Sequence, residues 1–265
     1  MSKTILITGA TDGIGLETAK KLLQQGHTIL AHGRNEKKLN KLKKELVTTG
    51  KIETYLADLS SKDAVLYLAK EVAKNHSSIN VLINNAAVLK TTDVVTTDGL
   101  DVRFVVNTLA PYLLTKKLLP LLKGSGRVIN VASAAQASVN FHALSGKAIA
   151  LTDMEAYSQS KLALIMWSTT MSKIVDPNET IFVSVNPGSL LGTKMVKEAF
   201  NIEGKSISIG ADILVKLAIH YESTTISGKY FDNDLNQFRI HHPDALDKQR
   251  CHDLLNTMND ILQIS

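Results

Sequence analysis

Residues 1–185 alternate between two kinds of segment, and nothing else in the chain restricts its fold as strongly. Short β-branched or aliphatic runs fall at residues 4–8, 28–31, 52–57, 80–84, 127–131 and 181–185. Longer segments with helical period lie between them, at residues 14–25, 36–47, 62–74, 99–122 and 155–174. Strand and helix taken in turn give a parallel sheet with helices on both faces. Right-handed crossovers then make that sheet doubly wound. The last third adds a helix near 209–219, a strand near 229–231 and a terminal helix near 243–262. The expectation is an α/β chain with a single Rossmann-type domain over residues 1–265 and about seven parallel strands. No repeat, low-complexity tract or Pro/Gly-rich linker marks a boundary.

Composition narrows the function classes. Hydrophobic residues make up 44% of the chain, enough for a sizeable core. No apolar run approaches the ~18 residues needed to span a bilayer, and the N-terminal run is too short for a secretory signal. The one cysteine, Cys251, excludes an intrachain disulfide and a cysteine-based zinc site, so a reducing, cytoplasmic setting is expected. His241 and His242 have no carboxylate at a zinc spacing, and no metal is expected. Net charge is +5. The densest basic patch, Lys37, Lys38, Lys41, Lys43 and Lys44, reads as a solvated helix face. With aromatics at only 5%, no nucleic-acid site is expected. A mild positive field suits a phosphorylated small molecule better.

In a doubly wound sheet, ligands bind beyond the carboxyl ends of the strands. Gly9-Ala10-Thr11-Asp12-Gly13-Ile14-Gly15 follows the first strand and opens the first helix. Glycine lets backbone approach a pyrophosphate, and a helix N-terminus offers oriented N–H groups. The loop lacks the Gly-Lys-Ser/Thr of a nucleotide-triphosphate loop. After the second strand, Gly33 stands where an acid would hold a free ribose 2′-hydroxyl, and Arg34 follows. A guanidinium suits a 2′-phosphate, so the expected cofactor is NADP rather than NAD. Asp58, after the third strand, is placed either to accept from an adenine amino group or to cap the next helix.

Two pairs share the spacing Tyr-x-x-x-Lys: Tyr112 with Lys116, and Tyr157 with Lys161. Tyr157 opens the helix after the fifth strand, whose tip carries Ser133, whereas Tyr112 lies away from the strand-end rim. A phenol with a pKa of ~10 is a poor acid or base near neutrality. An ammonium ~4 Å away is worth up to ~4 kcal/mol at an effective dielectric of ~20. That would lower the phenol by as much as ~3 units before screening, making Tyr157 a usable general acid or base, with Ser133 holding the substrate oxygen.

Taken together and in order, these residues resemble the classical short-chain dehydrogenase/reductase family along the whole chain. Thr8-Gly9-x-x-x-Gly13-x-Gly15 resembles its cofactor loop, and Asn84-Asn85-Ala86-Ala87 its Asn-Asn-Ala-Gly strand end. Asn107, Ser133, Tyr157 and Lys161 match its active site, and Pro187-Gly188 with Thr193 its nicotinamide segment. The tail, with Ser227-Gly228-Lys229-Tyr230-Phe231 and His242-Pro243-Asp244-Ala245-Leu246, is similar to retinol-dehydrogenase-like members and related bacterial oxidoreductases. Two positions depart from the pattern. Asp12 sits where many NADP-preferring members carry Arg or Lys, and Ala87 replaces a glycine.

The resemblance implies an NADP-dependent oxidoreductase acting on a carbonyl or alcohol; the alternative is a weakly catalytic nucleotide-binding regulator on the same fold. Around the cofactor it implies Gly9, Thr11, Asp12, Gly13, Ile14, Gly15, Arg34, Asp58, Leu59, Asn85, Ala86, Tyr157, Lys161, Pro187, Gly188 and Thr193. Lys161 is implied to hold the nicotinamide ribose, and Asn107 to kink its helix and hold a water leading from Lys161 to solvent. A homodimer or homotetramer is implied, with helices 99–122 and 155–174 packing across a two-fold axis through Leu113, Leu114, Leu164 and Met166. Residues 139–154 and 190–206 are expected to form the substrate pocket. The second of these is expected to move as a lid on hinges at Gly192 and Gly204.

Overall fold

In the computed structural model, which describes residues 1–147, 150–221, 224–240 and 242–264, the strand runs pair as the alternation requires. The elements in order are β1 (Thr4–Ile7), α1 (Gly13–Gln24), β2 (Thr28–Gly33), α2 (Glu36–Leu46), β3 (Ile52–Leu56), α3 (Lys62–Asn75) and β4 (Val81–Asn84). There follow α4 (Val102–Phe104), α5 (Ala110–Leu118), β5 (Gly126–Val131), α6 (Phe141–Leu144), α7 (Asp153–Ile174) and β6 (Thr180–Asn186). The last are α8 (Lys194–Phe200), α9 (Ser208–Ile219), β7 (Lys229–Asp232), β8 (Gln237–Arg239), α10 (Pro243–Leu246) and α11 (Lys248–Leu262). The sheet order is β3-β2-β1-β4-β5-β6-β7-β8. β3 through β7 pair in parallel, whereas β8 runs antiparallel to β7, with Phe231 opposite Phe238. The sheet thus has eight strands rather than about seven. Three residues of Gln-Phe-Arg after a turn are too few to give a periodic signal.

Side chains alternate across the sheet with period two. Ile5 and Ile7 face the core under α1, α2 and α9, while Leu6 faces the core under α3, α5 and α7. The order reverses between β1 and β4, which opens a crevice at their carboxyl ends.

The expected helix over 99–122 is interrupted. Residues Val105–Leu109 form a π-helical turn between α4 and α5, and Ala110 N–H reaches Val105 O. Pro111 has no N–H to give to the Asn107 carbonyl, so the regular i→i−4 ladder cannot continue there. The terminal helix is likewise split at Asp247, which caps α11 through Gln249 and Arg250 N–H.

The four side chains named for a subunit contact are buried within the chain. Leu113, Leu114, Leu164 and Met166 are at most 1% exposed within the single chain. Leu254, Leu255, Met258 and Leu262 of α11 belong to the same apolar cluster, and Tyr112 Oη donates to Asn259 Oδ1 at 2.9 Å. These four side chains therefore pack in the interior of the single chain.

Candidate active site

The carboxyl ends of β1, β2, β4 and β5 open on a cleft of about 500 Å³. Its floor is the glycine loop. A Cβ on Gly9, at φ +66°, would stand 3.0 Å from Ala86 Cα, and one on Gly15 would stand 2.4 Å from Gly9 O. Glycine is therefore what lets α1 and the end of β4 close on β1. Asn85 Nδ2 donates to Thr8 O at 2.9 Å and Gly9 O at 3.2 Å. Thr8 Oγ1 accepts from the N–H groups of Asn85 (2.9 Å) and Ala86 (3.0 Å). Asn85 is in this way a clamp on the loop as well as part of the cleft wall.

Asp12 caps α1, accepting from Gly13 N–H at 2.9 Å, and its other oxygen accepts from Lys38 Nζ at 2.7 Å. The Lys38 hydrogen bond, opposed in part by burial, holds the Asp12 carboxyl below its usual range. Thr11, Gly33, Arg34, Asn35 and Lys38 all line the cleft. A Cβ at position 33 would meet Thr11 Cγ2 at 2.6 Å, so the place where an acid was sought has no room for a side chain. Lys38 is not merely part of a solvated face: it returns to Asp12 the positive charge that position lacks. It sits four residues after Arg34 on the first turn of α2, and that spacing was the available signal.

His32 also escaped the sequence. It is buried, and its Nδ1 accepts from Gly9 N–H at 3.2 Å while Nε2 meets Ala57 O at 3.0 Å. The neutral ring with its proton on Nε2 satisfies both, and burial pulls its pKa down to about 4. Asp58 lines the cleft, with Oδ1 accepting from Ser60 N–H and Oγ; Ser61, not Asp58, caps α3. Ile14, Leu59, Ala86, Pro187 and Thr193 complete the wall, and Gly188 adjoins it.

The reacting end lies at the tip of β5. A capping box between Thr152 and Glu155 starts α7, which puts Tyr157 and Lys161 on its cleft side. Lys161 is buried, its Nζ donates to Val131 O at 2.7 Å, and it stands 5.6 Å from the Tyr157 ring centre. Ser133 lies near the Tyr157 hydroxyl, and its Oγ accepts from Ala135 N–H at 3.1 Å. Burial pushes the Tyr157 phenol up, opposed by Ser133, and draws the Lys161 amine down to about 7. The expected lowering of the phenol is therefore not present. Burial penalises phenolate and ammonium alike, and it is the leading cause of both shifts.

Asn107 lies in the π-helical turn, 1% exposed. Its Oδ1 accepts from Val88 N–H at 2.8 Å, and its Nδ2 donates to Val88 O at 2.9 Å and Ser160 Oγ at 3.0 Å. Through these bonds the side chain ties the β4 exit to α7. Tyr112 faces the core, its ring edge-on to Trp167 at 5.6 Å.

The segment after β6 crosses the cleft mouth. Thr193 caps α8, and Thr193, Lys194 and Met195 line the cleft. Its ends are tied: Gly192 N–H donates to Lys205 O at 2.7 Å, and Lys205 N–H to Leu190 O at 2.8 Å. A Cβ on Gly192 would meet Glu203 O at 2.7 Å, and one on Gly204 would meet Gly192 N at 2.7 Å. At these two positions only glycine allows the close backbone approach. Of the expected pocket segment 139–154, residues 148 and 149 lie outside the described residues, as does His241. Among the described residues no group of three or more His, Cys, Asp or Glu is placed to hold a metal ion. No helix there is long and apolar enough to cross a membrane.

Residues 3–203 match the model of the short chain dehydrogenase family. The chain belongs to that family. This short-chain dehydrogenase is accordingly an NAD(P)-dependent enzyme. It is 31% identical over 251 residues to retinol dehydrogenase 13 of Mus musculus, covering 87% of this chain and 75% of the relative. A metagenomic short-chain oxidoreductase in complex with NADP superposes with a TM-score of 0.66 at 26% identity, over 84% of this chain and 94% of that one. NADPH-bound carbonyl reductase from chicken fatty liver shares the fold, with a TM-score of 0.72 at 22% identity, over 90% and 98% of the two chains.

Proposed function

We propose that this short-chain dehydrogenase is an NADP-dependent oxidoreductase that interconverts a small-molecule carbonyl and its alcohol, with Tyr157 as general acid and base. The observation that carries the reading is the meeting of Ser133, Tyr157 and Lys161 at the end of a cleft whose other end is a glycine cradle bordered by Arg34 and Lys38. The cradle suits a dinucleotide: Gly9 and Gly13 line the cleft at the N-terminus of α1, and Arg34 and Lys38 line it at the end of β2. NADPH, when bound, supplies the hydride. The chain supplies the rest. Thr11, Gly13 and Ile14 at the α1 N-terminus would hold the pyrophosphate, Arg34 and Lys38 the 2′-phosphate, and Asp58 and Leu59 the adenine side. Pro187, Gly188 and Thr193 would face the nicotinamide, as the family resemblance implies.

Ser133 Oγ would fix the substrate oxygen beside the Tyr157 hydroxyl. Tyr157 gives its proton to that oxygen in reduction and recovers it in oxidation. Lys161, drawn down to about 7, takes up or releases a proton close to neutrality and would stabilise the phenolate when charged. The single buried thiol of Cys251 agrees with a cytoplasmic site of action.

The test is cofactor titration by fluorescence with turnover on a carbonyl panel. NADPH is expected to bind at least about tenfold more tightly than NADH, and Arg34→Ala to remove most of that margin. Equal affinities would reject the NADP assignment, and no NADPH consumption with any carbonyl would reject the reaction.

A further inference from the structure

The tail motif ending in Tyr230-Phe231 has no part in the chemistry above, yet its polar groups reach both sides of the reacting site. Tyr230 lies in β7, buried at 5% exposure, and its Oη donates to Ser133 O at 3.1 Å. Gln136 Nε2 donates to the same carbonyl at 3.0 Å. The backbone that carries the Ser133 hydroxyl is thus held from the far side by a residue almost one hundred positions later.

Just past the end of β7, the chain turns and takes hold of the segment after β6. Asp234 accepts from Ser189 N–H at 2.9 Å through Oδ1, and from Asn186 Nδ2 at 2.8 Å and Ser189 Oγ through Oδ2. Asp232 Oδ1 accepts from Asn186 Nδ2 at 3.1 Å and from Asp234 N–H at 3.1 Å. Asn233 Nδ2 donates to Pro187 O at 2.9 Å and Ile209 O at 3.2 Å. Residues 187–189 carry the left-handed Gly188, at φ +122°, whose own N–H reaches Asn186 Oδ1 at 3.3 Å. Such a segment has no regular ladder to fix it, so side-chain hydrogen bonds must do so.

We propose that residues 230–234 are a positioning element that sets the Ser133 loop and the 187–189 segment at a fixed separation. Tyr230 governs the side where substrate oxygen sits, and Asp234 governs the side where nicotinamide sits. None of these residues touches reacting atoms; they act through Ser133 and Ser189. The assignment of the two sides rests on the function proposed above, whereas the coupling itself rests only on the bonds just described. The alternating pleat makes the element separable from ordinary strand stability. Phe231, between the two groups, packs on the opposite face against Tyr221 and Phe238.

The experiment compares Tyr230→Phe, Asp234→Ala, Asp234→Asn and Phe231→Leu in the full chain. Four quantities are measured: thermal midpoint, NADPH dissociation constant, kcat and amide hydrogen exchange at Ser189. Asp234→Ala is expected to speed Ser189 exchange and weaken NADPH about tenfold, with a smaller loss in kcat. Asp234→Asn keeps an acceptor for Ser189 N–H and should recover most of both effects. Tyr230→Phe should lower kcat about fivefold while NADPH affinity stays within about twofold. Phe231→Leu should lower the thermal midpoint and leave the kcat-to-affinity pattern of the parent. If Tyr230→Phe and Asp234→Ala shift kcat and NADPH affinity in the same proportion, or Ser189 exchange ignores Asp234, the positioning role is wrong. A parent protein that binds NADPH but reduces no carbonyl counts against the proposed reaction alone. Ser189 exchange and NADPH affinity would still decide the element.

Discussion

Two tyrosine–lysine pairs in this molecule have the same spacing and nearly the same geometry, and they occupy opposite environments. Lys116 Nζ stands 5.7 Å from the Tyr112 ring centre, and Lys161 Nζ stands 5.6 Å from that of Tyr157. Burial raises both phenols. What differs is the neighbour of each hydroxyl. Tyr112 Oη ends on Asn259 of α11, inside the apolar layer between α5 and α7. Tyr157 meets Ser133 at a strand tip, and its lysine is anchored on the Val131 carbonyl of that same strand. Spacing on a helix brings a cation to a ring; only the position at a strand end brings the pair to a cleft.

The largest expected difference between the pairs is in turnover. Tyr157→Phe should cost about 10²- to 10⁴-fold in kcat, with NADPH affinity nearly unchanged, in steady-state kinetics. Should Tyr112→Phe prove the crippling change, the comparison would be inverted.

A second test asks what burial does to a base that has no role in proton transfer. His32, drawn down to about 4, holds Gly9 N–H on its unprotonated nitrogen. Between about 4 and the ordinary value of 6.5 the unfolded chain binds more protons than the folded one, so stability falls as pH falls through that window. The loss is on the order of 3 kcal/mol by pH 4 for this group alone. Denaturant titrations at stepwise pH should show it. A His32→Gln variant should flatten the dependence, and an unchanged slope would remove His32 as its source.

The smallest effect belongs to the core pair. Tyr112→Phe removes one buried hydrogen bond, to Asn259, and should lower unfolding free energy by about 1 kcal/mol while kcat stays within about twofold. Asn259→Ala should match it, and the double variant should add little, because the two share one bond.

The parallel sheet and its cleft were legible because period-two strands and strand-end motifs are local patterns. Gly9, Arg34, Tyr157 and Lys161 could be placed from strand order, and Thr193 from the family resemblance. The missed residues act across elements. Lys38 gains meaning only when α2 folds back beside Asp12, and His32 only when β2 brings its ring under Gly9. The apolar side chains of α5 and α7 were visible in the sequence, but their coverer was not. A hydrophobic helix face is satisfied equally by a second copy or by a later helix of its own chain. Here Leu254, Leu255 and Met258 of α11 share one apolar cluster with them. The raised phenol of Tyr157 was equally hidden, since desolvation is a property of the assembled cleft.

The bonds joining Leu190 and Gly192 to Lys205 turn the intervening stretch into a cassette with a fixed socket. Whatever residues fill it, its two ends return to the same place between β6 and α9. Exchanging the cassette would rebuild one edge of the cleft, at Thr193, Lys194 and Met195, and leave the opposite edge at Arg34 and Lys38 in place. Grafting residues 193–203 from a relative should therefore change substrate preference while the protein still binds a dinucleotide.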